Sequence, residues 1–324
     1  MEPRQSPALS VVVAIVSDTV GETDTVHLAP CLEALLRQEN APSMEILVPY
    51  GTGLRGIDRM RSIFPAVRFI EVAGVRSAVP QRRSREHHDI LRARGLAESR
   101  GGIAALIEDH GVAAPGWAAR MVEAHRGPAV AVGGAIENGV QRPLNWAVYF
   151  CDFLRYQNPL PNGEAATASD ANVSYKRAAL DAVRPVWREA FHESIVNHAL
   201  FERGGRLALS PEAVVEQRRR GLRLAAALKE RFVWGRSYGA TRAAAAPTAR
   251  RVFWAVFAPV LPALILARMS LMAWRKRRTF GPFLVALPLT AALTVSWSWG
   301  EFAGYLTGRP GSAGGTESQP CASE

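Results

Sequence analysis

Along residues 9–220, short apolar runs alternate with stretches whose apolar positions recur at helical spacing. The run 11–17 (VVVAIVS) predicts a buried strand, and 27–38 (HLAPCLEALLRQ) a helix. Residues 44–48 predict a second strand, ending at Pro49-Tyr50-Gly51, and 67–72 a third. A helix follows at 90–99, then a strand at 103–107 (IAALI) that ends in Glu108-Asp109-His110. Residues 117–125 read as a helix and 129–133 as a further short strand. Strands alternating with helices of this length build an α/β fold with a mostly parallel sheet. Ligands of such sheets bind at the carboxyl ends of the strands. Acidic and polar clusters at those ends are therefore where chemistry is expected.

The C-terminal part has a different pattern. Residues 279–300 are 22 positions without a charge, about 33 Å of helix against a hydrocarbon core of roughly 30 Å. Pro282 and Pro288 are tolerable in a membrane helix, and Trp297, Trp299 and Tyr305 stand near its far end, where interfacial aromatics belong. A spanning helix is the expectation. Residues 252–267 form a shorter uncharged run, broken by Pro259 and Pro262 and followed by Arg268. Both flanks of 252–274 are basic: Arg242, Arg250 and Arg251 before, Arg275, Lys276, Arg277 and Arg278 after. The positive-inside rule asks for both flanks in the cytoplasm. A re-entrant or in-plane helix meets that demand and a two-span hairpin does not, so 252–274 is read as re-entrant or spanning. Residues 221–249 (GLRLAAALKERFVWGRSYGATRAAAAPTA) mix Leu, Ala, Arg and aromatics, as an amphipathic helix on a membrane surface does. An ordinary connecting helix has the same composition. The expected organisation is one domain over 9–220, an interfacial connector over 221–250, a membrane segment over 251–306 and a disordered tail over 307–324.

Composition narrows the partners. Hydrophobic residues make up 48% of the 324 and charged residues 21%, which supports a large core. The net charge of +10 points to a polyanionic partner: nucleic acid, anionic lipid or a phosphate-bearing ligand. The basic residues crowd the C-terminal end and no nucleic-acid motif is present, so nucleic acid is set aside. Cys31, Cys151 and Cys321 are far apart with no CxxC spacing, against a disulfide framework or a structural zinc. The polar start and the short apolar run 11–16 do not make a signal peptide.

The informative stretch is 95–117 (GLAESRGGIAALIEDHGVAAPGW). A strand delivers Glu108, Asp109 and His110 to its end, and a Pro-Gly-Trp turn opens a helix. Carboxylate and imidazole in that position suit a hard divalent cation, Mg²⁺ or Mn²⁺, held against a diphosphate. As a bare tripeptide the signal is weak, because acidic surface turns produce it too.

Five ordered segments add context. They are the strand 11–17, LAESRG (96–101), IEDHGVAAPGW (107–117), SDANVSYKRAAL (169–180) and FHESIVNHALFERGGRL (191–207). Together they resemble family 2 glycosyltransferases of the GT-A fold, a Rossmann-like domain with a mostly parallel sheet. They look like that family's first nucleotide-binding strand, its Ala-x-Ala-Arg helix end, its DxD strand end with Pro-x-Trp, its Gly-Ala-Asn segment and its catalytic "ED" segment. The resemblance implies inverting transfer of a sugar from a nucleotide diphosphate sugar, with a divalent metal. By position it makes Glu193 the base that deprotonates the acceptor hydroxyl. The competing reading of Glu193 is an acid stabilised by a helix N-terminus. Glu108 takes the first DxD place, near the ribose and metal, His110 the second Asp place as metal ligand, and Asp109 is the middle residue and a harder alternative ligand. Arg100 is placed for the nucleotide phosphates, or as a helix C-terminal cation. Asn172 is read as holding a loop through backbone hydrogen bonds, and His87, His88, His125 and His198 as surface or helix residues.

Three departures from the family pattern matter. The second strand ends without the usual base-reading acids, so Asp18 or Asp58 substitutes, or Tyr50 stacks on the base. DxD has become Glu-Asp-His. Gln-x-x-Arg-Trp is present only as partial echoes, Gln217-Arg218-Arg219-Arg220 and RFVW (231–234). The reading is a membrane-bound enzyme on the cytoplasmic face of the inner (plasma) membrane, with a lipid-linked or glycan acceptor and membrane lipids as partners. Its rival is a non-catalytic GT-A domain that binds nucleotide sugar or scaffolds membrane proteins.

Overall fold

Every residue of the first strand, β1 (Leu9–Ala14, LSVVVA), is buried, as a strand covered on both faces requires. The computed structural model describes residues 6–17, 25–76, 86–244 and 246–309. The further strands are β2 (Met44–Thr52), β3 (Arg68–Arg76), β4 (Ile103–Glu108), β5 (Gly111–Ala113), β6 (Ala131–Asn138), β7 (Gly163–Ala165), β8 (Asn172–Lys176) and β9 (Leu207–Gln217). Among the described residues these nine form one sheet in the order β3-β2-β1-β4-β8-β6-β9-β5, with β7 paired to β9. β1, β2, β3, β4, β6 and β9 run one way, and β8, β5 and β7 the other.

Alternation along the strands splits the core in two. Val11, Val13, Ile46, Val48, Ala105 and Ile107 face one layer, under α1 (Leu28–Leu36), α2 (Ile57–Ile63) and, further along the sheet, α4 (Trp117–Ala124). Val12, Leu47, Ala104 and Leu106 face the other, under α3 (Glu86–Glu98) and, beyond β8, α6 (Arg177–Ala182) and α7 (Glu193–Glu202). At the amino edge of the strands the Ser10 hydroxyl donates to Glu45 at 2.7 Å and accepts from Gly101 N–H at 2.7 Å, joining β1, β2 and the approach to β4. The expected alternation of strands and helices is what is observed, with two extensions. β2 continues through Pro49-Tyr50-Gly51 because Tyr50 is buried beneath α2. β6 runs on past residue 133 because β9 pairs with it as far as Asn138.

After β6, α5 (Pro143–Phe153) begins a third apolar cluster shared with three later helical stretches. These are α8 (Leu224–Ala244), α9 (Thr248–Phe257) continuing through a tight turn into α10 (Leu261–Lys276), and α11 (Phe280–Thr307). Thr248–Lys276 and Phe280–Thr307, 29 and 28 residues, are each long and apolar enough to cross a membrane. α8 covers most of the stretch expected as an interfacial connector, 221–250. It runs in the same direction as α11 and packs along it, from Ser296 Oγ on Leu228 O at 2.7 Å to Arg242 on the Tyr305 hydroxyl at 3.0 Å. Two glycine pairs at i, i+4 permit this approach, Gly235 with Gly239 and Gly300 with Gly304. A Cβ at Gly235 would meet Trp297 O at 2.1 Å, and one at Gly300 would meet Phe232 O at 2.0 Å. The α10–α11 turn is pinned to the sheet domain: Thr279 donates to Gln157 at 2.8 Å and Arg278 pairs with Glu137 at 2.8 Å.

Two predictions follow from the packing. Gly300→Ala should lower the thermal midpoint of the detergent-solubilised chain, with overpacking costing about 1–3 kcal/mol and outweighing the roughly 1 kcal/mol that Ala gains over Gly in a helix. Gly281→Ala, on the same helix but with open space at its Cβ, should not lower it. The second concerns His125, which is buried against Ser174 at 2.8 Å rather than at the surface. Burial, with Lys176 nearby, pushes its pKa down from 6.5 to about 4. The unfolded chain therefore takes up the proton first, and stability falls as pH drops from about 6.5 to about 4. The loss amounts to about 3 kcal/mol at most. His125→Gln should flatten that part of the pH profile in chemical denaturation.

Candidate active site

At the carboxyl ends of β1, β4 and β9 a cleft of ≈ 320 Å³ opens, walled on its other side by α5 and α8. It brings together Glu108 and His110 from the end of β4, Asp170 from the loop before β8, and Glu193 from the first turn of α7. Positions far apart in the chain converge here because each follows a parallel strand, precedes the antiparallel β8, or opens a helix at the same edge of the sheet.

Arg92, on α3, stands at the centre of the acidic groups. It is 3% exposed and lies 3.2 Å from each of Asp89, Glu108 and Asp170. Burial alone would make it easier to deprotonate, but the three carboxylates outweigh that and hold its proton more tightly. Asp89 also pairs with His192 Nδ1 at 2.9 Å, and its backbone carbonyl accepts Phe191 N–H at 2.9 Å. One residue on α3 therefore fixes both Arg92 and the chain that opens α7. Glu193 is the first residue of that helix and accepts a hydrogen bond from Asn197 at 2.9 Å. It is at once a helix N-terminal acid and a cleft residue.

Glu108, Asp109 and His110 divide the work differently from the expectation. Asp109 is 1% exposed and does not line the cleft. It turns back to the end of β1, accepting from Val16 N–H at 3.1 Å and from the Ser17 hydroxyl, and it faces His110 Nδ1 at 3.3 Å. Burial would raise its pKa, but these donors outweigh burial and lower it. The pKa of Glu108 is raised from its ordinary value, chiefly by burial, with His110 and Arg92 opposing. His110 Nε2 lies 3.4 Å from Glu108 Oε2 at the cleft wall. Among the described residues no group of three or more His, Cys, Asp or Glu side chains is arranged to hold a metal ion. What fits a divalent cation is a two-donor seat, Glu108 Oε2 and His110 Nε2, with Asp109 behind the imidazole. A carboxylate on the far ring nitrogen is the usual support of a ligating histidine. Asp109, expected as a donor-binding residue or metal ligand, is turned away from the cleft and lies against the far ring nitrogen of His110.

Other expected site residues lie elsewhere. Arg100 is at the amino edge of the sheet, its N–H on Glu45 at 2.6 Å and its side chain exposed, opposite the cleft. Tyr50 is buried in the core under α2, with Arg61 against its ring and its hydroxyl. Asp58 is on the surface beside Arg61. Asp18 lies outside the described residues. Asn172 does hold backbone: fully buried, it donates to Ala135 O at 2.8 Å and Ala213 O at 2.9 Å and accepts from Trp117 at 2.9 Å. The SDAN and Pro-Gly-Trp segments meet at this side chain.

The residues that sequence reasoning passed over are Arg92, Asp89, Asp170 and Tyr156, together with the cleft wall formed by α5 and α8, while His88, read as a surface or helix residue, is buried on α3 and lines the cleft. Gln217 and Arg219, noted as partial echoes of a family motif, both line the cleft, and Gln217 donates to Glu108 at 3.4 Å. Arg231 of the second echo makes a two-point ion pair with Asp152 at 2.7 and 2.5 Å, tying α8 to α5.

No family model matches the sequence, and no curated protein matches it. Among solved structures the chain is similar to the mannosyltransferase PcManGT from Pyrobaculum calidifontis in complex with GDP-Man and Mn2+. That likeness has a TM-score of 0.45 and 15% identity, and covers 94% of this chain and 75% of that one. It is also similar to S. aureus TarS 1-349, with a TM-score of 0.40 and 13% identity, covering 64% of this chain and 59% of that one.

Proposed function

We propose that this chain is an inverting glycosyltransferase. It moves a sugar from a nucleotide diphosphate sugar to a hydroxyl of a membrane-associated acceptor, lipid-linked or glycan, at the cytoplasmic face of the plasma membrane. The observation that carries the reading is the convergence of Glu108, His110 and Glu193 in one cleft at the carboxyl edge of the sheet. These are the positions that the sequence resemblance to family 2 glycosyltransferases singles out.

In this reading Glu193 takes the proton of the acceptor hydroxyl as that oxygen bonds to the anomeric carbon. The bond from that carbon to the diphosphate oxygen breaks, and its electron pair leaves with the diphosphate. His192, held by Asp89, and Asn197, donating to the Glu193 carboxylate, fix where the base sits. Glu108 and His110 would hold a divalent cation, which when bound would supply Lewis-acid neutralisation of the leaving diphosphate. Arg92 offsets part of the negative charge of Asp89, Glu108 and Asp170, which would otherwise repel an incoming phosphate more strongly. The membrane reading draws on the two long apolar helical stretches and the basic residues at their ends.

Glu193→Gln should lower transfer by about 10²–10⁴-fold while leaving nucleotide-sugar affinity within about twofold. Wild-type turnover in that variant would remove Glu193 as the base. Donor binding with neither transfer nor hydrolysis in the unaltered chain would favour the non-catalytic scaffold. For the metal seat, His110→Ala should abolish the extra thermal stabilisation that Mn²⁺ adds to UDP or GDP. Asp109→Asn should weaken the metal by about 10–100-fold, as for other groups that orient a ligand. Equal Mn²⁺ responses in both variants and the unaltered chain would exclude the seat.

A further inference from the structure

We propose that the α9–α11 hairpin lies in the plane of an anionic bilayer surface, its outer face submerged, rather than crossing the bilayer; this rests on the membrane association proposed above. The domain side of α11 is occupied along its length. Its first half packs on α5, with the Phe150 and Phe283 rings 5.1 Å apart and Ala286 and Leu293 in the same core. Its second half packs on α8 through the glycine pairs. A crossing α11 would therefore draw α5 and α8 into the hydrocarbon. α8 carries Lys229, Arg236 and Arg242, and each such charge at the bilayer centre costs about 2.5–3.5 kcal/mol on insertion scales.

The opposite side of the hairpin is apolar and open to solvent, with Val256 65%, Val285 67%, Trp299 59% and Leu306 60% exposed. Two adjacent helices presenting such residues make a broad apolar face that water disfavours and the acyl-chain boundary accepts. Charge fixes the chemistry of the partner. Arg250 and Arg251 open α9, while Arg275 and Arg277 close the other end of the hairpin. Cations at both ends satisfy the positive-inside rule only if both ends face the cytoplasm, and each contributes about 1 kcal/mol against anionic headgroups. Arg268, exposed on α10 eight residues before the end of the 248–276 stretch, would lie about 12 Å inside a crossing helix. In plane it has only to reach the headgroups, which a long side chain does by snorkelling.

The test uses the full chain, with Cys151→Ala and Cys321→Ser as background, Cys31 being buried, and one added cysteine at a time: Ala246→Cys, Arg275→Cys at the turn, or Thr307→Cys. A membrane-impermeant maleimide should label none of the three in intact spheroplasts and all three in inverted vesicles. Labelling from outside at position 275 would show a two-span hairpin and at position 307 a single span, and either would overturn the in-plane arrangement and leave membrane association standing. In flotation, the chain should rise with vesicles of mixed phosphatidylglycerol and phosphatidylcholine and poorly with phosphatidylcholine alone. Val256→Asp and Val285→Asp together should cut flotation by about fivefold or more with circular dichroism unchanged. Equal flotation with neutral vesicles would overturn the anionic partner. No flotation with any vesicle, with a detergent-free dimer in solution, would assign the face to a second copy and sink the membrane reading itself. None of these outcomes depends on sugar transfer.

Discussion

A single buried guanidinium organises the cleft. Arg92 is surrounded by carboxylates from its own helix, from the end of β4 and from the loop before β8, so α3, the sheet edge and that loop are held by one charge. Burying a cation is costly unless its partners are close and well placed. Removing it would leave three acids facing one another in a low-dielectric pocket, and losing one partner of such a set typically costs about 3–5 kcal/mol. The same acids give the site its use. Asp89 extends the network to His192 and so to the first turn of α7, and Glu108 extends it to His110. The base candidate and the cation seat are thus two arms of one network.

Much of the sheet was legible because buried strands have an unmistakable pattern. The run VVVAIV admits no solvated face, and Glu-Asp-His after IAALI places polar groups where a parallel sheet exposes its strand ends. Arg92 was not legible. In EHHDILRARGLAE, arginines recur at positions that a helix ordinarily gives to solvent, and only the arrival of Asp170 and Glu108 in space distinguishes the buried one. Arg94, two residues on, pairs with Glu98 at the surface. Tyr50 misled because a Pro-Tyr-Gly sequence reads as a turn, whereas β3 pairs alongside and keeps it extended. Asp109 and Glu108 are adjacent, so pleating sends their side chains to opposite sides, and spacing alone does not say which side is the cleft.

The C-terminal helices show the same limit in another form. Hydropathy reads each segment alone and reports two candidates for crossing a membrane. The glycines that matter, 235 and 239 on one helix and 300 and 304 on another, acquire meaning only as a pair of pairs. Their packing makes α8 and α11 one structural unit, which α5 joins to the sheet. The apolar surface left over lies on the side away from the cleft's polar groups.

Trp234 and Gly235 are neighbours on α8 with different duties: the indole lines the cleft, and the glycine touches α11. The two contacts sit one residue apart on the same helix, so a partner that displaced α11 would displace the cleft wall with it. Such coupling would be reciprocal, the cleft's ligand altering the affinity of that outer face by the same factor.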